Sequence, residues 1–244
     1  MKIPNNIIVN ADDFGINSKI NKAIVQCFNL GIINSTSIMT NISGFEEAIY
    51  LSRVNGFQNN IGLHANLTEG KSITELSKTK FVNSNGIFLR KHVDKFYVGT
   101  SYKVRKLIKA EIEAQLHILY DNNITPTHIN SHHHIHTLPW LAGLFIEIAE
   151  KFKIKIRIAQ TSNKNSNILI PVYRNILNRI YKKKKLNFTE YFETLDSCSK
   201  ALEKAKKDQS LVEIMVHPDL NAQNDIFDSY DRKILKKEIE KLFQ

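Results

Sequence analysis

Short apolar runs alternate along the chain with segments whose apolar residues recur at helical spacing. Residues 7–10 are β-branched and apolar and read as a first strand, stopped by the acidic pair Asp12-Asp13. Between 17 and 30, Ile20, Ala23, Ile24, Cys27 and Phe28 keep a helical spacing, and Gly31 follows as a C-cap would. Residues 35–40 are a β-rich stretch, 45–52 a short helix and 60–64 another strand. From 70 to about 100 the pattern is less regular, with a turn at Asn83-Ser84-Asn85-Gly86. The clearest helix is 103–120, where Val104, Leu107, Ile108, Ile112, Leu116 and Leu119 form one stripe, broken by Thr125-Pro126. Residues 127–130 form a short strand leading into a run of histidines, and 138–152 a helix. In 154–158 the residues alternate, with Lys155 and Arg157 on the face opposite the isoleucines. A helix over 172–184, a strand over 212–216 and a helix over 231–243 complete the pattern.

Strand and helix alternate from end to end without a Gly/Ser linker or a break in composition. That predicts an α/β fold with mostly parallel strands, organised as a single domain over residues 1–244. Periodicity does not separate an open doubly wound sheet from a closed barrel. Polar residues recur where the strands end: Asp12-Asp13, His64, Asn130 to His132, Arg157 and His217. In a β/α barrel all strand C-termini meet at one face, whereas an open sheet gathers fewer of them. The expectation is therefore a single-domain β/α-barrel-like fold.

Composition narrows the class. With 42% hydrophobic and 24% charged residues, the 244-residue chain matches an ordinary globular protein. No apolar run approaches the roughly 20 residues that span a bilayer, so no membrane partner is expected. The N-terminus passes straight into Ile7-Ile8-Val9 with no signal-peptide h-region, making the cytoplasm the expected location. Cys27 and Cys198 are far apart and neither has a CxxC partner, which argues against a disulfide framework or a cysteine zinc site. The formal charge of +10 comes with abundant Lys throughout and no nucleic-acid-binding motif. Such charge supports only non-specific contact, so no specific nucleic-acid partner is expected.

The candidate chemistry sits at the strand ends. Asp12 and Asp13 read either as a strand-terminating turn that caps the next helix or as a carboxylate pair whose repulsion needs a cation or a proton to relieve it. His64, taken alone, fits a structural histidine as well as a ligand. Five of the nine histidines, His128, His132, His133, His134 and His136, fall between positions 128 and 136. Two or three imidazoles with a carboxylate suit a divalent cation. Five cannot all hold one ion, so the others orient ligands, hold substrate or fill space. His217, followed by Pro218, also ends a strand. An unligated histidine there is a candidate to donate a proton to a leaving group.

Four blocks then carry a family resemblance: Ile8-Val9-Asn10-Ala11-Asp12-Asp13-Phe14-Gly15, Gly62-Leu63-His64-Ala65-Asn66-Leu67-Thr68, Pro126 through His136, and Glu213-Ile214-Met215-Val216-His217-Pro218. In this order they resemble the YdjC-like carbohydrate deacetylases, the group that includes chito-oligosaccharide deacetylases. The resemblance implies a barrel-like core and removal of the acetyl group from an N-acetylated amino sugar. It implies Asp13, His64 and His132 as metal ligands, Asp12 as the carboxylate base and His217 as a candidate acid. His128, Asn130, His134, His136 and Arg157 are left as residues that contact substrate or support the ligands. Family members are described with magnesium and a homodimer is expected from them, whereas the donor set itself suits zinc. One departure is Asn130, where the family commonly carries Asp; that puts in doubt a role needing a carboxylate there, but not a hydrogen-bonding one. Residues from about 160 to 200 match nothing in the family pattern, and substrate choice can lie there. The competing readings are a metal-assisted hydrolase of a phosphoester or glycosidic bond, a non-catalytic metal-dependent sugar binder and a basic nucleic-acid-binding protein.

Overall fold

The computed structural model describes residues 2–76, 79–94, 101–162 and 169–243. The chain runs β1 (Ile7–Phe14), α1 (Ser18–Asn29), β2 (Ser35–Ile38), α2 (Phe45–Val54), β3 (Ile61–Ala65), α3 (Arg90–Val93), α4 (Tyr102–Asp121) and β4 (His128–Ser131). A 3-10 turn at His132–Thr137 leads to α5 (Pro139–Phe152), β5 (Lys155–Ile156), α6 (Leu169–Lys183), β6 (Tyr191–Thr194), α7 (Ser199–Asp208) and β7 (Val212–Val216). A three-stranded antiparallel ribbon, β8 (Pro218–Leu220), β9 (Ile226–Asp228) and β10 (Lys233–Ile234), precedes α8 (Leu235–Leu242). No helix among the described residues is long and apolar enough to cross a membrane.

Seven strands form one parallel sheet in the order β5-β4-β3-β2-β1-β7-β6. Read as a ring, this is the order of the chain. The ends β5 and β6 approach through isolated bonds: Ile156 N–H donates to Leu186 O at 2.6 Å, Phe188 N–H to Ile156 O at 2.8 Å, and Thr161 N–H to Phe192 O at 3.1 Å. The expected barrel-like α/β architecture is what forms, irregular where β5 and β6 meet.

The helices cover the outside with the faces their spacing predicts. Asn17 caps α1, its Oδ1 accepting from Ile20 N–H at 2.9 Å. Ala23, Ile24 and Cys27 of that helix are buried. On α4 the stripe Ile108, Ile112, Leu116 and Leu119 is buried, worth about 1.5–3 kcal/mol per side chain. The same face carries Glu111 and Gln115. Gln115 clamps Asn66 through its backbone N–H and C=O, and Glu111 accepts from the Ile73 and Thr74 amides. A packing helix thereby also fixes the loop that follows His64.

Several elements differ from the pattern reading. The first strand does not stop at Asn10 but runs to Phe14. Strand β5 is two residues long, with Arg157 pointing into the barrel. The short β6, the polar α7 and the ribbon β8–β10 lack a strong periodic signal and were not expected, and the last helix begins at Leu235 because β10 intervenes. Of the irregular stretch from 70 to about 100, residues 77–78 and 95–100 lie outside the described residues.

The barrel interior is polar. Asn10, Asp12, Ser35, Ser37, His64, His128, Asn130, Arg157 and Glu213 are all buried. His128 occupies a gap left by Gly62, where a Cβ would lie 2.4 Å from its ring. It stacks on Phe188 with centroids 4.1 Å apart. Burial, assisted by the Arg157 charge, lowers its pKa to about 3. An unfolded chain binds a proton at this residue below about pH 6.5 that the folded chain refuses, so stability falls as pH drops from there towards 3. Chemical denaturation at pH 7.5 and 5 is expected to show the His128→Gln variant losing about 2 kcal/mol less than the wild type over that interval. Equal losses would mean that the folded protein protonates His128 normally.

Candidate metal centre and its surroundings

Successive residues of a strand face opposite sides, so Asp12 and Asp13 could not share a site on a regular β1. A bulge changes this. Between Ala11↔Thr36 and Phe14↔Ile38 the register against β2 shifts, and Asp13 takes a left-handed φ of 67°. The following Gly15 (φ 94°) lies so close to Met39 O that a Cβ would sit 2.8 Å away. Both carboxylates therefore serve the same end of the barrel, in very different surroundings.

Asp13 stands at the rim. Its Oδ1 is 3.1 Å from His64 Nε2 and 2.8 Å from His132 Nδ1. Oδ1 is nevertheless buried without a hydrogen-bond partner among the described residues. Burial raises its proton affinity, but the His132 and His64 rings beside it hold the carboxyl well below the usual range. One atom from each of Asp13, His64 and His132 converges within 4.8 Å of the others. An oxygen and two imidazole nitrogens gathered around a shared point, with a carboxylate oxygen left unpaired, fit a divalent cation.

His64 is oriented from behind. His64 Nδ1 donates to Asn130 Oδ1 at 2.7 Å, which leaves Nε2 as the lone pair facing Asp13. Asn130 Nδ2 in turn donates to Ser37 Oγ at 3.0 Å and Asp12 Oδ1 at 3.3 Å. An aspartate could accept from His64 but could not donate to Asp12, so the amide keeps the hydrogen-bonding role with one charge fewer. His132 Nε2 lies 3.4 Å from Glu69 Oε1. Burial lowers the His132 pKa, but Asp13 and Glu69 outweigh it and the net shift is upward.

Asp12 is buried at 1% exposure and held by donors on both oxygens. Arg157 Nη1 donates to Oδ2 at 2.6 Å, and Oδ1 accepts from Arg157 Nη2 (2.7 Å), Asn10 Nδ2 (2.8 Å) and Ser37 Oγ (3.0 Å). Burial alone would raise its pKa, yet the Arg157 guanidinium and the His64 ring hold it far below the carboxylate range. Arg157 also donates to Glu213 Oε1 from Nε (2.9 Å) and Nη2 (2.6 Å) and lies over the Phe192 ring, 4.6 Å from its centroid. Burial pushes the Glu213 carboxyl up despite the guanidinium. At 0% exposure Arg157 has no contact with solvent.

The remaining histidines divide by surroundings. His133 and His134 adopt left-handed φ of 55° and 54°, turning the chain back over the barrel mouth. His133 Nδ1 meets Thr68 Oγ1 at 2.9 Å and its Nε2 accepts from Arg90 Nη1 at 2.8 Å. His136 is buried, its Nδ1 bonded to Ser131 Oγ at 2.6 Å and its ring edge-on to Phe145, so it braces the loop. His134 lines a small cavity beside β6, and burial with the Arg157 charge lowers its pKa to about 3. His217 follows β7 directly; its N–H donates to Asp228 Oδ2 at 2.7 Å, and its Nδ1 is buried without a partner among the described residues. Sequence reasoning missed Glu69, Ser37, Glu213 and Asp228. Glu69 directly follows the His64 block, and Glu213 is a lone acid inside an apolar strand; both were visible as oddities, but their partners were not.

These features define a barrel-like α/β protein with a candidate metal centre at the C-terminal ends of its parallel strands. More particularly, the chain belongs to the YdjC-like protein family, whose model matches residues 6–241. It is 34% identical over 160 residues to a carbohydrate deacetylase of Geobacillus stearothermophilus, covering 66% of this chain and 62% of that protein. It is 30% identical over 220 residues to a carbohydrate deacetylase of Halalkalibacterium halodurans, covering 87% and 84%. The match thus spans less than two thirds of the Geobacillus relative. In structure the chain resembles a protein of Enterococcus faecalis V583 provisionally described as a cellobiose-phosphate cleavage protein, with TM-score 0.71, 19% identity and coverage of 97% and 92%. That likeness establishes the fold.

Removing one partner of a buried ion pair strands the others' charges. Arg157→Met is expected to destabilise the protein by about 3–5 kcal/mol in chemical denaturation. Adding Asp12→Asn and Glu213→Gln should restore most of that loss. A triple variant no more stable than Arg157→Met would show that the guanidinium acts by packing and not by pairing.

Proposed function

We propose that the chain, residues 1–244 acting as one domain, is a metal-dependent carbohydrate deacetylase that hydrolyses the acetamide of an N-acetylated amino sugar or chito-oligosaccharide. The observation that carries this reading is the convergence of Asp13, His64 and His132 beside the separately held Asp12, in a family whose curated relatives bear the name carbohydrate deacetylase. Asp13, His64 and His132 hold the divalent cation; the donor set suits zinc, while the family resemblance implies magnesium. When bound, the cation supplies Lewis acidity for the acetyl carbonyl and for a water molecule.

The protein's own groups supply the proton traffic. Asp12 is ionised at every working pH, and Oδ2, which among the described residues accepts only from Arg157 Nη1, has a lone pair left for the proton of the attacking water. A carboxylate held so far down is a weak base, so it takes a proton only from a strongly acidified donor. Arg157 keeps that carboxylate in place through two bonds. His217, fixed at its backbone by Asp228, gives a proton to the departing amine. A glycosidase needs two carboxyls flanking the scissile bond, and Asp12 and Asp13, adjacent on one strand, do not flank anything.

Acetate release from a panel of N-acetylated chito-oligosaccharides is expected from metal-restored protein and absent after metal stripping. Release that ignores the metal would remove the centre from the mechanism, and none from folded, metal-loaded protein would remove the deacetylase reading. Asp12→Asn should lower turnover by at least about 100-fold with metal affinity retained in titration calorimetry, whereas His64→Ala should lose the metal. Full activity in Asp12→Asn would overturn the base assignment.

A further inference from the structure

An exposed tyrosine means little by itself. Tyr230 is 68% exposed, yet its backbone is anchored with unusual care. Asp228, a carboxylate 1% exposed, spends Oδ1 on the N–H groups of Tyr230 (2.9 Å) and Asp231 (2.6 Å) and Oδ2 on that of His217 (2.7 Å). Ser229 N–H closes the same corner by donating to His217 O at 2.9 Å. One buried carboxylate thus sets the positions of the proposed proton donor and of a surface aromatic together. The Tyr230 ring lies 5.7 Å from the His217 ring, tilted 32°.

Tyr230 also forms part of the wall of the cavity that His134 enters, of about 140 Å³, together with Arg174, Thr194 and Met215. That volume is below the roughly 300 Å³ at which pockets enclose a whole small ligand. It holds one substituent, and the ring that bears the substituent must lie outside, at the mouth. A pyranose offers two unlike surfaces there: hydroxyls around its edge and a face of C–H groups. Arg174 and Thr194 supply hydrogen-bonding groups for the edge, and Tyr230 a flat aromatic face for the C–H groups. We propose that Tyr230 is the stacking platform for the sugar ring that carries the scissile acetamide, held in register with His217 by Asp228. Tyr50 and Tyr102 are comparably exposed, but neither lines this cavity.

The inference rests on the deacetylase reading and is tested by binding, apart from turnover. Full-length wild type, Tyr230→Phe and Tyr230→Ala are titrated calorimetrically with N,N′,N″-triacetylchitotriose after metal stripping, with melting temperatures measured in parallel. Tyr230→Ala is expected to bind about tenfold more weakly, with an unchanged melting temperature, and Tyr230→Phe within about twofold of wild type. In the metal-loaded enzyme the same loss should fall on KM, with kcat little changed. Wild-type affinity in Tyr230→Ala would overturn the platform while leaving the sugar reading intact. Equal weakening in both variants would overturn stacking in favour of a hydroxyl contact. No binding of the trisaccharide by wild type would overturn the platform and count against the sugar reading as well.

Discussion

A guanidinium with no access to water sits at the centre of this barrel, and the arrangement around it follows from the need to compensate its charge. Moving Arg157 into the interior costs several kcal/mol in lost hydration, recovered only when its donors meet well-placed acceptors. Asp12 on β1 and Glu213 on β7 provide them, and the Phe192 face on β6 covers the ring plane. Strands β1, β6 and β7 and the end of β5 are tied together by one side chain near the place where the sheet ring is weakest. The functional consequence is a fixed negative charge: Asp12 cannot be neutralised by burial, because Arg157 is buried with it.

Two neighbouring residues of the same type acquire different chemistry from this frame. Asp12 has donors on both oxygens and is turned inward, whereas Asp13, released to the rim by the bulge, has an oxygen that two imidazoles approach but none satisfies. The first is a carboxylate the protein has already solvated; the second has the unpaired oxygen that fits a divalent cation. Asn130 links the two by orienting His64 with its carbonyl and steadying Asp12 with its amide. A third carboxylate at that position would add a charge with no cation of its own among the described neighbours.

The surroundings of His217 are built by a different device. The ribbon β8–β10 returns the chain over the end of β7, and Asp228 gathers three backbone N–H groups at the fold-back. A carboxylate used this way organises the main chain. The rigid barrel thus supplies the charged groups, and a short appended ribbon sets the position of His217.

Much of this was readable from the chain because strand and helix periods differ and because parallel strands bring their C-termini together. The alternating elements, the stripe of α4 and the strand-end positions of Asp12, Asp13, His64, His132 and His217 follow from local pattern. The histidine run and the four blocks resembling the deacetylase family pointed to a metal and a sugar. What local pattern cannot contain is pairing between distant residues. Arg157 read as a strand-end residue on the face opposite the isoleucines, without its partners, which lie 145 and 56 positions away. Glu213 stood inside a strand with nothing near it in sequence to mark its partner, and β6, α7 and the ribbon are too short or too polar to show a period. The bulge that turns Asp12 and Asp13 to the same end depends on the register against β2, and Asp228 matters only once the ribbon has folded back. Sequence determined which groups are present and near which strand ends; the tertiary fold decided which of them are buried together, and burial sets their charge.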